Sequence, residues 1–371
     1  MSRSRDNADA VTTVPSGVGR NMIINRGMNV SQRATSVTGI GAADGYFTLD
    51  RWNTNVGATS AGRLTQTQTA DGPNGISANC LKLDCTTADT SIAAGELLQI
   101  SHKMEGQNLQ RIGKGVSGAK EITVSFYVKG NASATYVVEL FDADNTRSIS
   151  ALFSVTTDWN RIEVTFPADE DDGSSPFDDD NARSLTLNIT LHSGSDFTSA
   201  ALNTVWSNND TTKRAAGGDS FFDATSRTFF LTGVQMEVGP VATEFEQEDI
   251  STTLAKCQRY FQQIGATSNE FPVSIGYLYN NGTRSAHIIP LISAMRAVPT
   301  FAGETNGIKV ISGGNSSTVS PSMFGPSYLL HNNVVALSAG SNTHSDLGSN
   351  DELCLIKQTA TDTIIDMDAE L

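Results

Sequence analysis

The chain is poor in residues that support disulfide, metal or nucleic-acid chemistry. Its 371 residues include four cysteines, at positions 80, 85, 257 and 354, and five scattered histidines. These cysteines do not make a disulfide framework in a chain of this length, and no ligand spacing indicates zinc. The formal net charge of −15 disfavours nucleic-acid binding through the general surface. We therefore expect neither a zinc site nor a nucleic-acid partner.

Long hydrophobic runs are also missing. No apolar segment approaches the ~18 residues that a membrane helix needs, and the polar first residues lack the apolar core of a signal peptide. We expect no membrane insertion and synthesis in a cytoplasm. Charged residues make up only 18% of the chain, and uncharged polar residues fill the difference. This composition suits the solvent faces of antiparallel sheets.

Catalytic motifs are absent as well. The chain has no Gly-x-Ser-x-Gly elbow, no His-Glu-x-x-His and no phosphate loop. Glycoside hydrolysis needs two carboxylates about 5–10 Å apart across a cleft, and no acidic pair lies on defined strands. We therefore expect no enzymatic activity.

The acidic segment 169–180 fails the calcium-loop template, because Gly173 is fifth rather than sixth in its run. We favour a solvated loop, with no cofactor. A structural calcium ion held by loop carbonyls is the open alternative, and chelation would test it.

Alternating apolar and polar residues dominate the first two thirds of the chain. Segments 121–129, 135–141, 161–166 and 184–192 each place their apolar side chains on one face. Period-two patterns separated by turn signals predict sheets packed face to face. Residues 21–248 are therefore predicted to form a β-sandwich, most simply a jelly roll. The long interruption 193–220 is either a mobile flap or a binding loop.

The remaining segments complete an all-β organisation. Residues 1–20 predict an extended basic arm, and residues 249–264 predict one linking α-helix. Ile250, Leu254, Cys257 and Phe261 form the apolar stripe of that helix. Residues 265–371 predict a smaller C-terminal β-sandwich, in which residues 277–283 form a hairpin.

Four phrases carry a resemblance to a known family. They are the segments 46–52 and 231–261, the closing Asp368-Ala369-Glu370-Leu371, and Asn21-Met22-Ile23-Ile24-Asn25-Arg26-Gly27-Met28-Asn29-Val30-Ser31-Gln32-Arg33. In their order along the chain, these phrases resemble those of tail-fibre and related virion fibre proteins of bacteriophages. The phrase 157–161 also looks like carbohydrate-binding-module jelly rolls, in which such a tryptophan opens a core strand, so Trp159 is interpreted as structural.

The resemblance implies a virion protein made in the host bacterial cytoplasm and assembled as a homotrimer. Ile250, Leu254, Cys257 and Phe261 are the predicted packing residues near or beneath the three-fold axis. Arg3, Arg5 and Arg20 of the basic arm are the predicted contacts with other virion proteins of the tail or capsid. The favoured function is a tail fibre that binds a host-surface glycan or outer-membrane receptor. A capsid decoration or head-fibre protein is the alternative, and a glycan-cleaving tailspike is a third hypothesis.

Candidate receptor-binding residues are aromatic and amide side chains in predicted loops and turns, since sugars are recognised by aromatic faces and polar groups. They are Trp206, Asn208, Asn209, Tyr279, Asn281, Tyr328 and Trp52. For Trp52 we favour core packing over binding. If the C-terminal domain is distal, the turn beside Tyr279 is where a receptor would make contact.

Overall fold

The structure is a computed structural model with two compact units, Met1–Ile250 and Ser251–Leu371. It describes residues 19–58, 60–170, 175–265, 272–281, 283–303, 308–319, 324–329, 334–339, 347, 353–358 and 364–371. Arg3 and Arg5 of the predicted arm lie outside the described residues. None of the helices in these ranges is long and apolar enough to cross a membrane.

The first unit is built almost entirely of strands. In chain order, they are β1 (Ser36–Ile40), β2 (Trp52–Gly57), β3 (Arg63–Thr69), β4 (Cys80–Thr87), β5 (Leu97–Glu105), β6 (Ile122–Gly130), β7 (Ala134–Asp142), β8 (Arg147–Val155), β9 (Asn160–Phe166), β10 (Arg183–Ser193), β11 (Ser207–Asn208) and β12 (Thr228–Val238). A short helix, α1 (Ser195–Thr198), precedes β11, and 3-10 turns are found at Gly106–Asn108, Gln110–Ile112, Thr211–Lys213 and Phe221–Asp223.

These strands form two six-stranded antiparallel sheets. Sheet A has the order β1-β3-β4-β12-β6-β9, and sheet B has the order β11-β8-β7-β10-β5-β2. Side chains from both sheets form one hydrophobic core. The predicted β-sandwich of jelly-roll type is confirmed.

Side-chain alternation explains which faces the sheets bury. In β6, the predicted core residues Ile122, Val124, Phe126 and Val128 are all buried, because successive side chains of a strand point to opposite faces. In β10, Leu185, Leu187 and Ile189 enter the same core. The residues between them in β10 are polar and face away from sheet A.

The segment at the start of the sandwich is fastened to the end of β12 and the chain that follows it. Asn21 Oδ1 accepts a hydrogen bond from the Met236 amide at 3.1 Å. Arg26 is buried and pairs with Glu246 at 3.1 Å and with Glu248 at 2.7 Å. We call these five residues the N-terminal clamp. It joins two of the phrases that carry the family resemblance.

Arg20 corrects the predicted extent of the free arm. Its Nη2 donates to the Glu244 carbonyl at 2.7 Å, and its Nε lies 3.8 Å from Glu237. The Gly19 amide donates to Glu246 Oε1 at 2.6 Å. Arg20 is therefore attached to the sandwich by its own chain, and its contact with other virion proteins stays a prediction.

The predicted helix is shorter than its apolar spacing indicated. Helix α2 spans Ile250–Gln258, and Phe261 begins the strand that follows. Cys257 and Phe261 are buried, Leu254 is partly buried and Ile250 is 54% exposed. The stripe of four residues is thus split between a helix and a strand, because Phe261 hydrogen-bonds in a sheet. Trimer packing by these residues stays a prediction.

The second unit also consists of strands. They are β13 (Phe261–Gly265), β14 (Pro272–Tyr279), β15 (Arg284–Pro290), β16 (Thr300–Gly303), β17 (Ile308–Ser312), β18 (Asn315–Val319), β19 (Phe324–Leu329), β20 (Val334–Ala339), β21 (Leu353–Gln358) and β22 (Ile364–Asp368). Sheet C has the order β13-β22-β16, and sheet D has the order β18-β17-β21-β14-β15-β20-β19. Their buried side chains share one core. The predicted hairpin is β14–β15, with Asn280 and Asn281 in the left-handed conformation at its turn.

One face of sheet D exposes apolar side chains. Ile275 and Tyr277 of β14 are 67% and 50% exposed, Ile288 of β15 is 57% exposed, and Leu353 of β21 is 76% exposed. Tyr277 pairs in register with Leu353, and Gly276 pairs with His287, so the four side chains share one face. We call these four residues the sheet D patch. Contiguous exposed apolar groups of this kind mark interaction surfaces.

Candidate functional site

The side of sheet B that faces away from the core is polar. On its central strands, the outward positions carry amide, hydroxyl and charged side chains, and several lie in a groove of about 220 Å³. Residues from β2, β5, β10 and β7 stand next to one another there in rows that cross the strands. We call this feature the sheet B groove.

The middle row is a chain of hydrogen bonds. Ser101 Oγ donates to Asn188 Oδ1 at 2.7 Å, and Asn188 Nδ2 donates to Glu139 Oε2 at 2.8 Å. Arg214 then donates to both oxygens of Glu139 at 2.6 Å. These bonds raise the pKa of Arg214 despite its burial, because they favour the charged guanidinium. The row continues to Asn53, opposite Ser101.

A second row contains the least satisfied group of the groove. Thr186 stands opposite Lys103 on one side and Phe141 on the other. It is 4% exposed, and its Oγ1 has no hydrogen-bond partner among the described residues. A buried hydroxyl without a partner is unfavourable by about 1–3 kcal/mol. Thr186 therefore supplies an unsatisfied hydroxyl among the residues that line the groove.

Phe141 supplies an aromatic ring beside Thr186. The Arg214 guanidinium lies 5.0 Å from the centre of that ring, so one face of the ring is covered by a cation. A third row, of Asn55, Gln99 and Thr190, continues the polar floor: Asn55 donates to Gln99 at 3.0 Å and Gln99 to Thr190 at 2.9 Å. The groove thus combines amides, a free hydroxyl, cations and an aromatic ring.

The long interruption 193–220 builds one wall of this site. Asn203 Nδ2 donates to the Ser148 carbonyl at 2.7 Å, and Ser150 Oγ donates to the Arg214 carbonyl at 3.1 Å. The Ala215 amide donates to the Phe197 carbonyl at 2.9 Å. The segment is therefore attached across β8 and brings Arg214 over Phe141. These bonds hold the segment against the sandwich, and a binding role for it stays a prediction.

The sequence analysis did not single out these groove residues. The available signal was the run of Thr186, Asn188 and Thr190 at alternate positions of β10, which also fits an ordinary solvent face. The position of Arg214 had no local signal, because it depends on contacts with Glu139 and Phe141 about 75 residues away in the chain.

Trp206 does not have the exposed ring that the sequence analysis expected. Its Nε1 donates to the Pro167 carbonyl at 2.9 Å, and its partly buried ring packs against the core. The Lys114 ammonium lies 5.5 Å from the ring centre. Asn208 pairs in β11 with Arg147, and Asn209 donates its amide to the Thr146 carbonyl. Trp206, Asn208 and Asn209 are thus beside a structural ion cluster rather than in the groove.

That ion cluster is centred on Lys114, which is almost fully buried. Its Nζ lies 2.6 Å from Asp142 Oδ2 and 3.0 Å from Asp169 Oδ2, and it donates to the Ser175 carbonyl at 2.9 Å. Arg147 pairs with Asp169 from the other side at 2.9 Å. The predicted solvated loop therefore begins with a buried carboxylate, at Asp169. Residues 171–174 of that loop, including Gly173, lie outside the described residues.

No group of three or more histidine, cysteine or acidic side chains within the described ranges has the arrangement of a metal site. At the Lys114 cluster, three oxygen atoms instead surround an ammonium. Calcium binding elsewhere in the chain stays an open question that chelation would answer.

Trp52 lies in the core, which was the favoured prediction. It is fully buried, its Nε1 donates to the Asn25 carbonyl at 3.2 Å, and its ring meets His102 edge-on. Trp159 donates to the Asp71 carbonyl and packs on Phe230 just before β9, as its structural interpretation predicted. Neither ring lines the sheet B groove.

The C-terminal candidates are in the second unit. Tyr279 is partly buried beside Tyr277, with their ring centres 6.2 Å apart, and Asn281 is exposed at the hairpin turn. The backbone of Tyr328 lies in β19 opposite Ala336. Receptor contact by these three residues stays a prediction.

One set of side chains has the order of a catalytic triad. His192 Nδ1 and Ser220 Oγ are 2.7 Å apart, and His192 Nε2 lies 3.0 Å from Glu96 Oε2. The imidazole is fully enclosed and packs against Phe222. Ser220 Oγ already accepts the Phe222 amide at 3.1 Å. We interpret the set as a structural link between β10 and the segment 193–220.

A second pair with nucleophile chemistry is equally unsuited to catalysis. Cys354 Sγ lies 3.8 Å from His287 Nε2, and both residues are buried. Burial raises the pKa of the Cys354 thiol to about 11. A thiol with so high a pKa stays protonated at neutral pH, whereas the nucleophilic form is the thiolate.

Comparisons with known proteins give only distant likenesses. No protein-family model matches the chain, and no curated protein matches it in sequence. Similar solved structures include the enzymatically active domain of tailspike protein 4 of bacteriophage CBA120, at 10% identity and a TM-score of 0.31, covering 59% of this chain and 21% of that one. They also include TmCBM61 with bound β-1,4-galactotriose, at 9% identity and a TM-score of 0.29, covering 59% and 99% of the two chains.

A family 30 carbohydrate-binding module is similar at 10% identity and a TM-score of 0.29, covering 63% of this chain and 97% of that one. Likenesses this weak carry no argument about function. The function has to be argued from the groove's own residues.

Proposed function

We propose that this chain is a structural virion protein of a bacteriophage that binds a host-surface glycan in the sheet B groove. The single observation that carries the binding role is the unpartnered Thr186 hydroxyl in a row with Lys103 and Phe141. Sugar hydroxyls need fixed hydrogen-bonding partners, and sugar rings stack on aromatic faces. The groove offers both on rigid strands, which hold binding groups more accurately than loops do.

The virion assignment is supported by the phrases at 21–33, 46–52, 231–261 and 368–371, which resemble phage fibre proteins. We favour a tail fibre, with a capsid decoration or head-fibre protein as the alternative. Binding rather than cleavage is proposed, because the groove side chains include one lining carboxylate, Asp44, where hydrolysis needs two. Release of sugar from host polysaccharide by the pure protein would instead indicate a tailspike.

The homotrimer is part of the proposal, and the sheet D patch supports self-association. Its four residues carry no charge, so two copies of this acidic chain can meet there without facing like charges. A face-to-face contact between sheets would remove the exposed aliphatic groups from water.

The groove is tested with Thr186→Val in the full-length protein. Because the hydroxyl is buried without an internal partner among the described residues, the isosteric change should leave the fold at least as stable as before. We expect binding to host-surface polysaccharide to weaken by about tenfold, as loss of one hydrogen bond implies. Thr65→Val, which removes a hydroxyl from sheet A that is bonded to Thr38 and does not line the groove, is the control and should bind like the wild type. Unaltered binding by Thr186→Val would remove the groove from the binding site.

The placement on the particle is tested by labelling intact virions with a gold-tagged antibody to residues 265–371. Gold at the tail would support the tail fibre, and the free protein should then compete with adsorption. Gold over the head would replace that assignment with capsid decoration.

A further inference from the structure

The charged side chains that face the sheet B groove are mostly cations. Lys103, Arg183 and Arg214 line it, against a single lining carboxylate, Asp44. This composition is the reverse of the whole chain, which has 40 acidic and 25 basic residues. An excess of cations that lines a concave site favours a ligand of negative charge.

The cations are gathered at one end of the groove. Lys103 stands opposite Thr186, Arg183 precedes Thr186 on the same strand, and Arg214 covers Phe141 on the other side of Thr186. Arg183 is exposed and makes no ion pair with a described residue. The three cations therefore come from positions that flank Thr186 in the groove.

The acidic groups near this end are enclosed or distant. Glu139 and Glu105 are both fully buried. The two oxygens of Glu139 already accept hydrogen bonds from Arg214 and Asn188. Asp44 accepts a hydrogen bond from the Val56 amide, and Val56 pairs with Leu98, at the opposite end of β5 from Lys103. The charged side chains that line the groove near Thr186 are therefore cations, and the one lining carboxylate, Asp44, lies toward the other end.

We infer that the groove prefers an acidic glycan and binds the carboxylate of a uronic or sialic acid unit at this end. Arginine matches a planar carboxylate with two parallel hydrogen bonds, and lysine adds a point charge. The Thr186 hydroxyl donates a third hydrogen bond to the same group. The amide end of the groove, around Asn55 and Gln99, then contacts neutral hydroxyls of the next sugar. This inference rests on the proposed glycan binding.

The test uses the full-length protein and immobilised polygalacturonate, polysialic acid and neutral β-1,4-galactan. Each acidic polymer is compared with its carboxyl-reduced form, in which only the charge is removed. We expect at least tenfold weaker binding after reduction, and weaker binding of the acidic form as salt increases. Equal binding of the acidic and reduced forms, or preference for the galactan, would overturn the acidic preference while leaving glycan binding in place. No binding to any of these polymers would overturn both proposals.

Variants separate the cations from the rest of the groove. The double variant Lys103→Gln and Arg183→Gln should lower binding of the acidic polymer to the level of its reduced form. Lys120→Gln, which removes one exposed cation that does not line the groove, is the control for loss of a surface cation and should bind like the wild type. If Lys120→Gln weakens binding as much as the double variant, long-range charge and not the groove would explain the preference.

Discussion

At the scale of single residues, burial decides which side chains have structural roles and which stay available. Trp52 and Trp206 were both candidates for receptor binding, with core packing favoured for Trp52, and each donates its indole N–H inside the protein. Thr186 is the opposite case. In the sequence it is an ordinary strand threonine, and only the folded sheet shows that its hydroxyl has no hydrogen-bond partner in the part of the chain that the structure describes. Residue type alone therefore did not indicate which polar groups have a partner inside the protein.

Lys114 gives the sharpest prediction at this scale. Lys114→Met removes the ammonium from between Asp142 and Asp169 and leaves buried carboxylates without their partner. Such a change costs about 3–5 kcal/mol, which urea unfolding of the first unit would measure. Lys120→Met is the exposed control and should leave the unfolding midpoint unchanged. A midpoint for Lys114→Met equal to that of the control would contradict the structural role.

The same cluster predicts the effect of chelation. Because an ammonium already fills the space between these oxygen atoms, treatment with a chelator should leave the melting temperature unchanged. A clear loss of stability would instead reveal a calcium ion bound elsewhere in the chain.

At the scale of elements, local patterns predicted strands and their buried faces well and element ends poorly. β6 and β10 have the faces that alternation indicated. Helix α2 ends at Gln258 rather than near residue 263, because pairing of Phe261 with Asp368 places it in sheet C. That partner is more than a hundred residues away in the chain, and no helical periodicity can include it.

The β7–β8 turn contains a strained residue. Thr146 has a φ of +54°, a conformation that is unfavourable for a branched side chain. Thr146→Gly should therefore stabilise the first unit by about 1 kcal/mol, as measured by thermal and urea unfolding. The Asn209 hydrogen bond to the carbonyl of residue 146 is retained, since it involves only the backbone at that position. Loss of stability would mean that the side chain outweighs the strain.

The N-terminal clamp predicts a pH effect. The pKa of Glu246 is lowered: burial alone would raise it, but hydrogen bonds from Gly19 and Asn21 and the charges of Arg26 and Arg20 prevail. A lowered pKa stabilises the fold above the ordinary value of 4.5, and this contribution disappears as the pH falls through the folded-state pKa. Glu246→Gln should be less stable at pH 7 and should lose less stability between pH 6 and 3. Parallel curves for the two proteins would contradict the assignment.

At the scale of the whole molecule, the predictions concern self-association of the chain into a homotrimer. The apolar stripe that includes Leu254 and the sheet D patch predict different contact surfaces for a homotrimer. Leu254 is partly buried, whereas the four side chains of the sheet D patch are at least half exposed. A contact between copies would therefore bury more apolar surface at the sheet D patch than at Leu254.

Sedimentation of two variants distinguishes these surfaces. Leu353→Lys, together with Ile288→Lys, should convert the trimer to monomers without unfolding, because both side chains are exposed. Leu254→Asp should do the same only if the helix packs between copies. A trimer that survives the sheet variant but not the helix variant would assign the interface to α2, and a wild-type monomer would remove the homotrimer from the proposal.

The sequence by itself determined the all-β class, the position of most strands in the first unit and the faces that they bury. These properties depend on alternation within a few neighbouring residues, which a local pattern records. Tertiary structure decided which distant polar side chains meet. The sheet B groove collects residues from β2, β5, β10 and β7, and Arg214 reaches it from a segment that wraps back across β8. Such a site arises from strand order and register, which bring together residues up to about 160 positions apart.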